Sequence, residues 1–63
     1  MNPAELTGSL ALLGLSQLGA ARLFAVNGRT VRRWIAGEQE IPKAVAIALR
    51  LMIKHQEKPE DWE

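Results

Sequence analysis

Four of the chain's eight Lys and Arg residues lie in the twelve-residue stretch Arg22–Arg33, which contains no acid. On a helix that begins near Asn27, at about 100° per residue, the basic side chains share one face. That face consists of Gly28, Arg29, Arg32 and Arg33. Like charges three and four residues apart destabilise a helix by roughly 0.2–0.5 kcal/mol per pair. Folding alone does not require this arrangement, so the pattern predicts a helix that lies against a polyanion.

The opposite face of the same helix is suited to a protein core. It carries Thr30, Val31 and Trp34, and we expect Val31 and Trp34 to be buried. Asn27 is predicted as the N-cap and Gly37 as the residue that ends the helix. An Asn-Gly pair also occurs in β-hairpins, but the flanking residues have helical rather than alternating periodicity.

A first helix is predicted before this one. It begins at Pro3, with Asn2 as its N-cap and Glu5 placed to close a capping box. It ends near Leu13, where Gly14 can adopt the left-handed conformation of a helix stop.

The remaining elements are also helical. The second helix runs from Gln17 to Phe24 behind an N-cap at Ser16, and the fourth runs from Pro42 to about His55. The link Ala25–Val26 is too short for anything but a sharp turn. These elements predict an all-α fold, a compact bundle of four short helices that contains a helix-turn-helix. Residues 1–57 are predicted to form this domain and residues 58–63 an acidic tail, so that any fifth helix is missing or reduced to the tail.

The fourth helix is apolar on more than one side. From Ala44 to Ile53 every residue except Arg50 is apolar, so this helix is expected to be buried on two sides. In a domain this small, the core can bury one side of the helix, and a second copy of the chain would bury the other. The sequence therefore predicts a twofold homodimer with Ile47, Leu51 and Lys54 at its interface. A central core helix is the alternative that the sequence leaves open.

Composition excludes several classes of protein. A 63-residue chain buries only about 60% of its unfolded surface, and without cysteine, and with a single histidine, it has no disulfide or metal to stabilise it. We expect no cofactor, and self-association remains as the stabilising route. No apolar run approaches the roughly 18 residues of a membrane span, and the first residues lack the basic region of a signal peptide. These features predict a cytoplasmic protein with no membrane partner.

The spacing of individual residues resembles a known family. Its motif is matched by Ser16-Gln17, Ala21, Leu23, Val26-Asn27, Arg29-Thr30-Val31, Arg33-Trp34 and Gly37. This segment is similar to the helix-turn-helix family of phage repressors and Cro-like regulators, also called XRE-type. The resemblance implies a lambda-repressor-like fold and a bacterial or phage regulator, a repressor, that binds a palindromic operator in double-stranded DNA.

The resemblance also implies roles for individual residues. The helix that begins near Asn27 would enter the major groove, with Gly28, Arg29, Arg32 and Arg33 at the bases. Gly28 has no side chain to read a base, so its role would be close approach of the backbone. Gln17, Lys43 and Asn27 would contact phosphates.

The chain departs from the family at several positions. Ala25 occupies a turn position that is usually glycine, so it must accept a positive φ or alter the turn. Leu10 and Ile35 replace an ion pair with two apolar groups, a change that is often neutral or stabilising. Two acids, Glu38 and Glu40, stand where basic residues often meet phosphate, which predicts a modest affinity.

The residue types that could support catalysis are few and scattered along the sequence. The only histidine, His55, is isolated at a basic helix end, and the hydroxyls of Thr7, Ser9, Ser16 and Thr30 have no base near them in sequence. We therefore expect no enzymatic activity. An antitoxin-type autoregulator, which also binds a partner protein through the fourth helix or the tail, remains an alternative.

Overall fold

Residues 1–55 are described by the computed structural model, and within this range all regular structure is helical. The four helices are Pro3–Leu13 (α1), Gln17–Leu23 (α2), Gly28–Ala36 (α3) and Lys43–Lys54 (α4). The predicted all-α bundle is confirmed, and α2 is one residue shorter than expected. The domain boundary after residue 57, the acidic tail 58–63 and any fifth helix lie outside the described residues.

Side chains close the first turns of three helices, as the sequence predicts. The backbone N–H of Glu5 donates to Asn2 Oδ1 over 2.8 Å, that of Gly19 to Ser16 Oγ over 2.9 Å, and that of Arg29 to Asn27 Oδ1 over 2.9 Å. Each such cap stabilises its helix by about 1 kcal/mol. The fourth helix begins after Pro42 without a side-chain cap.

The capping box predicted at Glu5 is replaced by a contact between helices. The Glu5 carboxylate accepts a bond from the Arg50 guanidinium of α4 over 3.4 Å, and both side chains are about half exposed. An exposed pair of this kind contributes at most about 1 kcal/mol. It nevertheless draws the Glu5 side chain toward α4 and away from its own N-cap.

Three helices end with the same pair of backbone hydrogen bonds around a residue in the left-handed region, which directly follows α1 and α3 and is the second residue after α2. After α1 these bonds run from Gly14 to Ala11 and from Leu15 to Leu10, and after α3 from Gly37 to Trp34 and from Glu38 to Arg33. After α2 they run from Ala25 to Arg22 and from Val26 to Ala21. The left-handed residues are Gly14 at φ 67°, Ala25 at φ 54° and Gly37 at φ 77°.

Ala25 therefore accepts the positive φ and does not alter the turn. Ala25→Gly should raise the free energy of unfolding by roughly 1 kcal/mol, because glycine adopts this conformation without the steric penalty of a Cβ atom. The matched control is Gly14→Ala, which has open space for a Cβ but a φ of +67° and should lower the stability by a similar amount. Urea titration followed by circular dichroism measures both. A less stable Ala25→Gly variant would contradict the strained turn.

The core lies where α1, α3 and α4 meet, with α2 packed against α3. Its largest fully buried side chains are Leu6, Val31, Trp34, Leu49 and Met52. Burial of Val31 and Trp34 is confirmed. Leu10 belongs to this core and Ile35 packs against it, so the apolar pair that replaces the family's ion pair is accommodated. Ala20 and Ala21 are also buried, and their small side chains let α2 approach closely.

The fourth helix divides into two apolar sides. Val45, Leu49 and Met52 are buried, whereas Ile47 is 55% and Leu51 41% exposed. Within residues 1–55, α4 therefore has one apolar side that is buried and one that remains exposed. The radius of gyration of 10.5 Å is typical of a compact chain of about sixty residues.

Candidate nucleic-acid interface

The third helix presents its arginines on the side opposite the core. Arg29, Arg32 and Arg33 are exposed, as is Ala36, which continues the same face. Val31 and Trp34 on the other side are 0% and 2% exposed. The structure thus brings the three predicted base-reading arginines together on one solvent-facing surface, which we call the arginine face (Arg29, Arg32, Arg33).

Local bonds hold this helix in place at both ends. Asn27 closes its first turn, and Gly37 and Glu38 close its last through the backbone bonds described above. Two buried side chains anchor its inner side to the core. The arginine face is therefore carried by a rigid element, a requirement for reading a fixed pattern of partner atoms.

The protein itself does little to neutralise the arginine face. Within the part of the chain that the structure describes, the pair between Arg50 and Glu5 is the only salt bridge. The guanidinium groups of α3 make no ion pair there, although like charges crowd at helical spacing. A polyanionic partner would supply the missing counter-charge.

Gly28 is half-buried at the start of α3. A Cβ built on it meets no atom within 4 Å, and its φ is not positive. Neither crowding nor backbone conformation within residues 1–55 therefore requires glycine at this position. The close approach of the Gly28 backbone to an external partner stays a prediction.

The predicted phosphate contacts lie where helices begin. Gln17 is the first residue of α2 and Lys43 the first of α4, and both are exposed. The side-chain oxygen of Asn27 is engaged in the helix cap, which leaves its amide NH₂ as the group that could donate to phosphate. Between α3 and α4, Glu38, Gln39 and Glu40 are all exposed. The two carboxylates of this loop remain available to oppose a polyanion.

Several features were not identified from the sequence. Leu12 on α1 is 76% and Leu18 on α2 57% exposed, although both are large apolar side chains. The buried indole Nε1 of Trp34 has no hydrogen-bond partner within residues 1–55. Only the three-dimensional packing determines both features, because exposure and bonding depend on residues that are distant in sequence.

Residues 1–55 show no arrangement typical of a metal site. No three or more His, Asp or Glu side chains within residues 1–55 are arranged to hold a metal ion. Thr7 donates to the Pro3 carbonyl and Ser16 caps α2, so both hydroxyls have local structural roles. No helix among the described residues has the length and apolar character needed to cross a membrane.

Comparisons with known proteins give no independent evidence of family. No protein-family model matches this sequence, and no curated protein or solved structure is significantly similar to it. The resemblance to Cro-like regulators therefore rests on the residues and helix spacing quoted above.

Proposed function

We propose that this chain is a sequence-specific regulator that binds double-stranded DNA in the major groove with α3. The observation that carries the proposal is the arginine face, whose positive charge is not neutralised by residues 1–55 and whose helix is anchored in the core. Folding does not account for this arrangement, because three clustered arginines destabilise the helix that bears them.

The dimensions of α3 are compatible with the major groove of duplex DNA. Its nine residues span about 14 Å, and an α-helix with side chains is about 10–12 Å across. The major groove of B-DNA is about 12 Å wide and admits one α-helix. Arginine presents a planar fork that matches the O6 and N7 acceptors of guanine, so the proposal assigns G·C pairs to each half-site.

The proposed active form is a twofold homodimer through α4. Ile47 and Leu51 are the exposed apolar centre of that surface, with Lys54 at its edge. Burial of large apolar side chains favours association. A twofold dimer would place two α3 helices about one DNA turn apart, which matches a palindromic operator.

Repression by occupying promoter DNA follows the family that the sequence resembles. The same resemblance assigns the protein to a bacterial or phage system and to the cytoplasm, where such DNA is found. In this proposal the protein acts by binding DNA, without a cofactor and without catalysing a reaction.

Selection from a library of random duplexes tests the function directly. Repeated rounds of binding to the full chain should enrich one G·C-containing palindrome whose half-sites are about 10 base pairs apart. Enrichment of no common sequence, together with equal affinity for heparin and duplex DNA, would reject sequence-specific recognition.

Lys43 and Gln17 are expected to differ in their dependence on salt. Lys43→Ala should weaken specific and random duplexes about equally and flatten the slope of log K against log salt by roughly 1 per subunit, because a phosphate contact releases counterions. Gln17→Ala should weaken binding and leave the slope unchanged, since its contact is neutral. Fluorescence anisotropy between 50 and 200 mM salt, as typical conditions, measures both slopes. An unchanged slope for Lys43→Ala would remove Lys43 from the interface.

Gly28→Ala separates DNA approach from folding. The new Cβ has open space and alanine favours the helix, so stability should be retained or raised by up to about 1 kcal/mol. Binding of the selected duplex should nevertheless fall about tenfold or more, because the methyl group intrudes where the backbone meets DNA. Gly8→Ala on α1 is the matched control, as its Cβ also meets nothing within 4 Å. Equal DNA affinities of both variants would contradict close approach at Gly28.

An antitoxin-type role is supported by one observation, the exposure of Ile47 and Leu51. If the chain is monomeric on DNA, these residues are left for a partner protein of another kind. The oligomeric state measured with and without DNA therefore tests the homodimer on which the first function depends.

A further inference from the structure

The exposed side of α4 has an ordered chemical layout. At 100° per residue, its apolar side chains form a stripe that we call the α4 stripe. The stripe consists of Ala44, Ile47, Ala48 and Leu51, which are exposed or half-buried. Lys43, Arg50 and Lys54 form a basic row along one edge, and all three are exposed.

A groove runs along the other edge of the α4 stripe. It has a volume of about 290 Å³ and is lined by Leu23, Phe24, Ala44, Val45 and Ala48. All five lining residues are apolar, and one is aromatic. This groove suits a flat apolar side chain, and the basic row opposite suits neighbouring carboxylates.

We propose that the acidic segment 57–63 of the same chain folds back onto this surface, with Trp62 in the groove and its acids along the basic row. The segment carries Glu57, Glu60, Asp61 and Glu63 against a single Lys58, so its net charge of −3 complements the three basic groups of α4. Trp62 is the only aromatic residue in it.

The length of the segment permits this contact. Trp62 lies seven residues after His55, and an extended chain of that length reaches up to about 25 Å. From Lys54 back to Ala44 is ten residues of helix, about 15 Å.

A tethered segment has two advantages over a second copy. Its effective concentration is of the order of millimolar when the linker spans the distance. It also brings opposite charge, which a second copy with the same basic row does not supply. The inference rests on the proposed function in one respect, since the same surface is the proposed dimer interface. The docked segment would therefore compete with dimerisation, and DNA binding would require a higher protein concentration.

The experiment uses the fluorescence of Trp62 in the full chain. The spectrum of Trp62→Phe is subtracted from that of the parent, at a concentration where sedimentation shows monomers, and quenching by acrylamide is measured. We expect Trp62 to be protected from acrylamide and to become accessible in Leu51→Ala. Leu12→Ala, which alters another exposed leucine on α1, should leave the protection unchanged. If acrylamide quenches Trp62 in the parent monomer as strongly as it quenches free indole, the proposal is overturned.

Dimerisation supplies a second measurement. Suppose that the docked segment leaves the α4 stripe free about a third of the time in each copy. Dimerisation needs both copies free, so Trp62→Ala, which releases the segment, should lower the dissociation constant of the dimer about tenfold. Lys58→Ala, in the same segment, should not tighten it. A weaker dimer in Trp62→Ala, or protection of Trp62 only at concentrations that give dimers, would instead place the segment on the partner and overturn docking within one chain. If Trp62 is protected from acrylamide but the chain binds no duplex DNA, the proposed function is rejected and docking of the segment stands.

Discussion

Arg29→Ala and Arg33→Ala should each weaken binding of the selected duplex by about 1–3 kcal/mol per half-site, or roughly 2–6 kcal/mol for a dimer on a palindrome. The reason is the loss of two parallel hydrogen bonds to one guanine, in a groove from which water is displaced. Each variant should also relax the preference at one base pair of each half-site. Titrations against the selected duplex and its single-base variants measure both effects.

Folding effects can be separated from these losses. Arg29 and Arg33 are exposed and make no salt bridge within residues 1–55, so their truncation should leave the free energy of unfolding nearly unchanged. Arg22→Ala is the matched control, because Arg22 is exposed on α2 and lies outside the arginine face. If Arg29→Ala and Arg33→Ala retain the base preferences of the parent, these arginines contact phosphate or nothing, and α3 is not the reading element.

Leu51→Glu should produce a folded monomer that binds the operator at least a hundredfold more weakly. Leu51 is 41% exposed, so the new carboxylate remains hydrated in the monomer and is buried only on association, where its desolvation is unfavourable. Each dimer would contain two such groups. Sedimentation gives the oligomeric state, circular dichroism the helix content, and anisotropy the affinity for DNA.

The control lies two residues away on the same helix. Leu49 is 0% exposed, and a carboxylate there costs several kcal/mol, comparable with the roughly 3–9 kcal/mol expected for a domain of this length. Leu49→Glu should therefore unfold the chain, whereas Leu51→Glu should not. A Leu51→Glu variant that still dimerises would move the interface elsewhere, and a parent chain that stays monomeric with and without DNA would exclude the dimer.

The sequence alone was sufficient to predict the helix boundaries to within one residue. Caps are local interactions, so Asn2, Ser16 and Asn27 could be identified from the residues that follow them, and Gly14 and Gly37 from the conformation that glycine permits. The arginine face was predicted for the same reason, since three basic residues at helical spacing share a side whatever the fold.

Tertiary structure decided what local pattern could not. The sequence of α4 is apolar on two sides, and only its packing against α1 showed that Leu49 and Met52 are buried whereas Ile47 and Leu51 face solvent. Glu5 matched a capping box, but its partner is Arg50, 45 residues along the chain. These outcomes depend on contacts between residues that are distant in sequence. Whether Ala25 accepts strain or alters its turn was likewise settled by the way α2 must meet α3, and the structure gives it a φ of 54°.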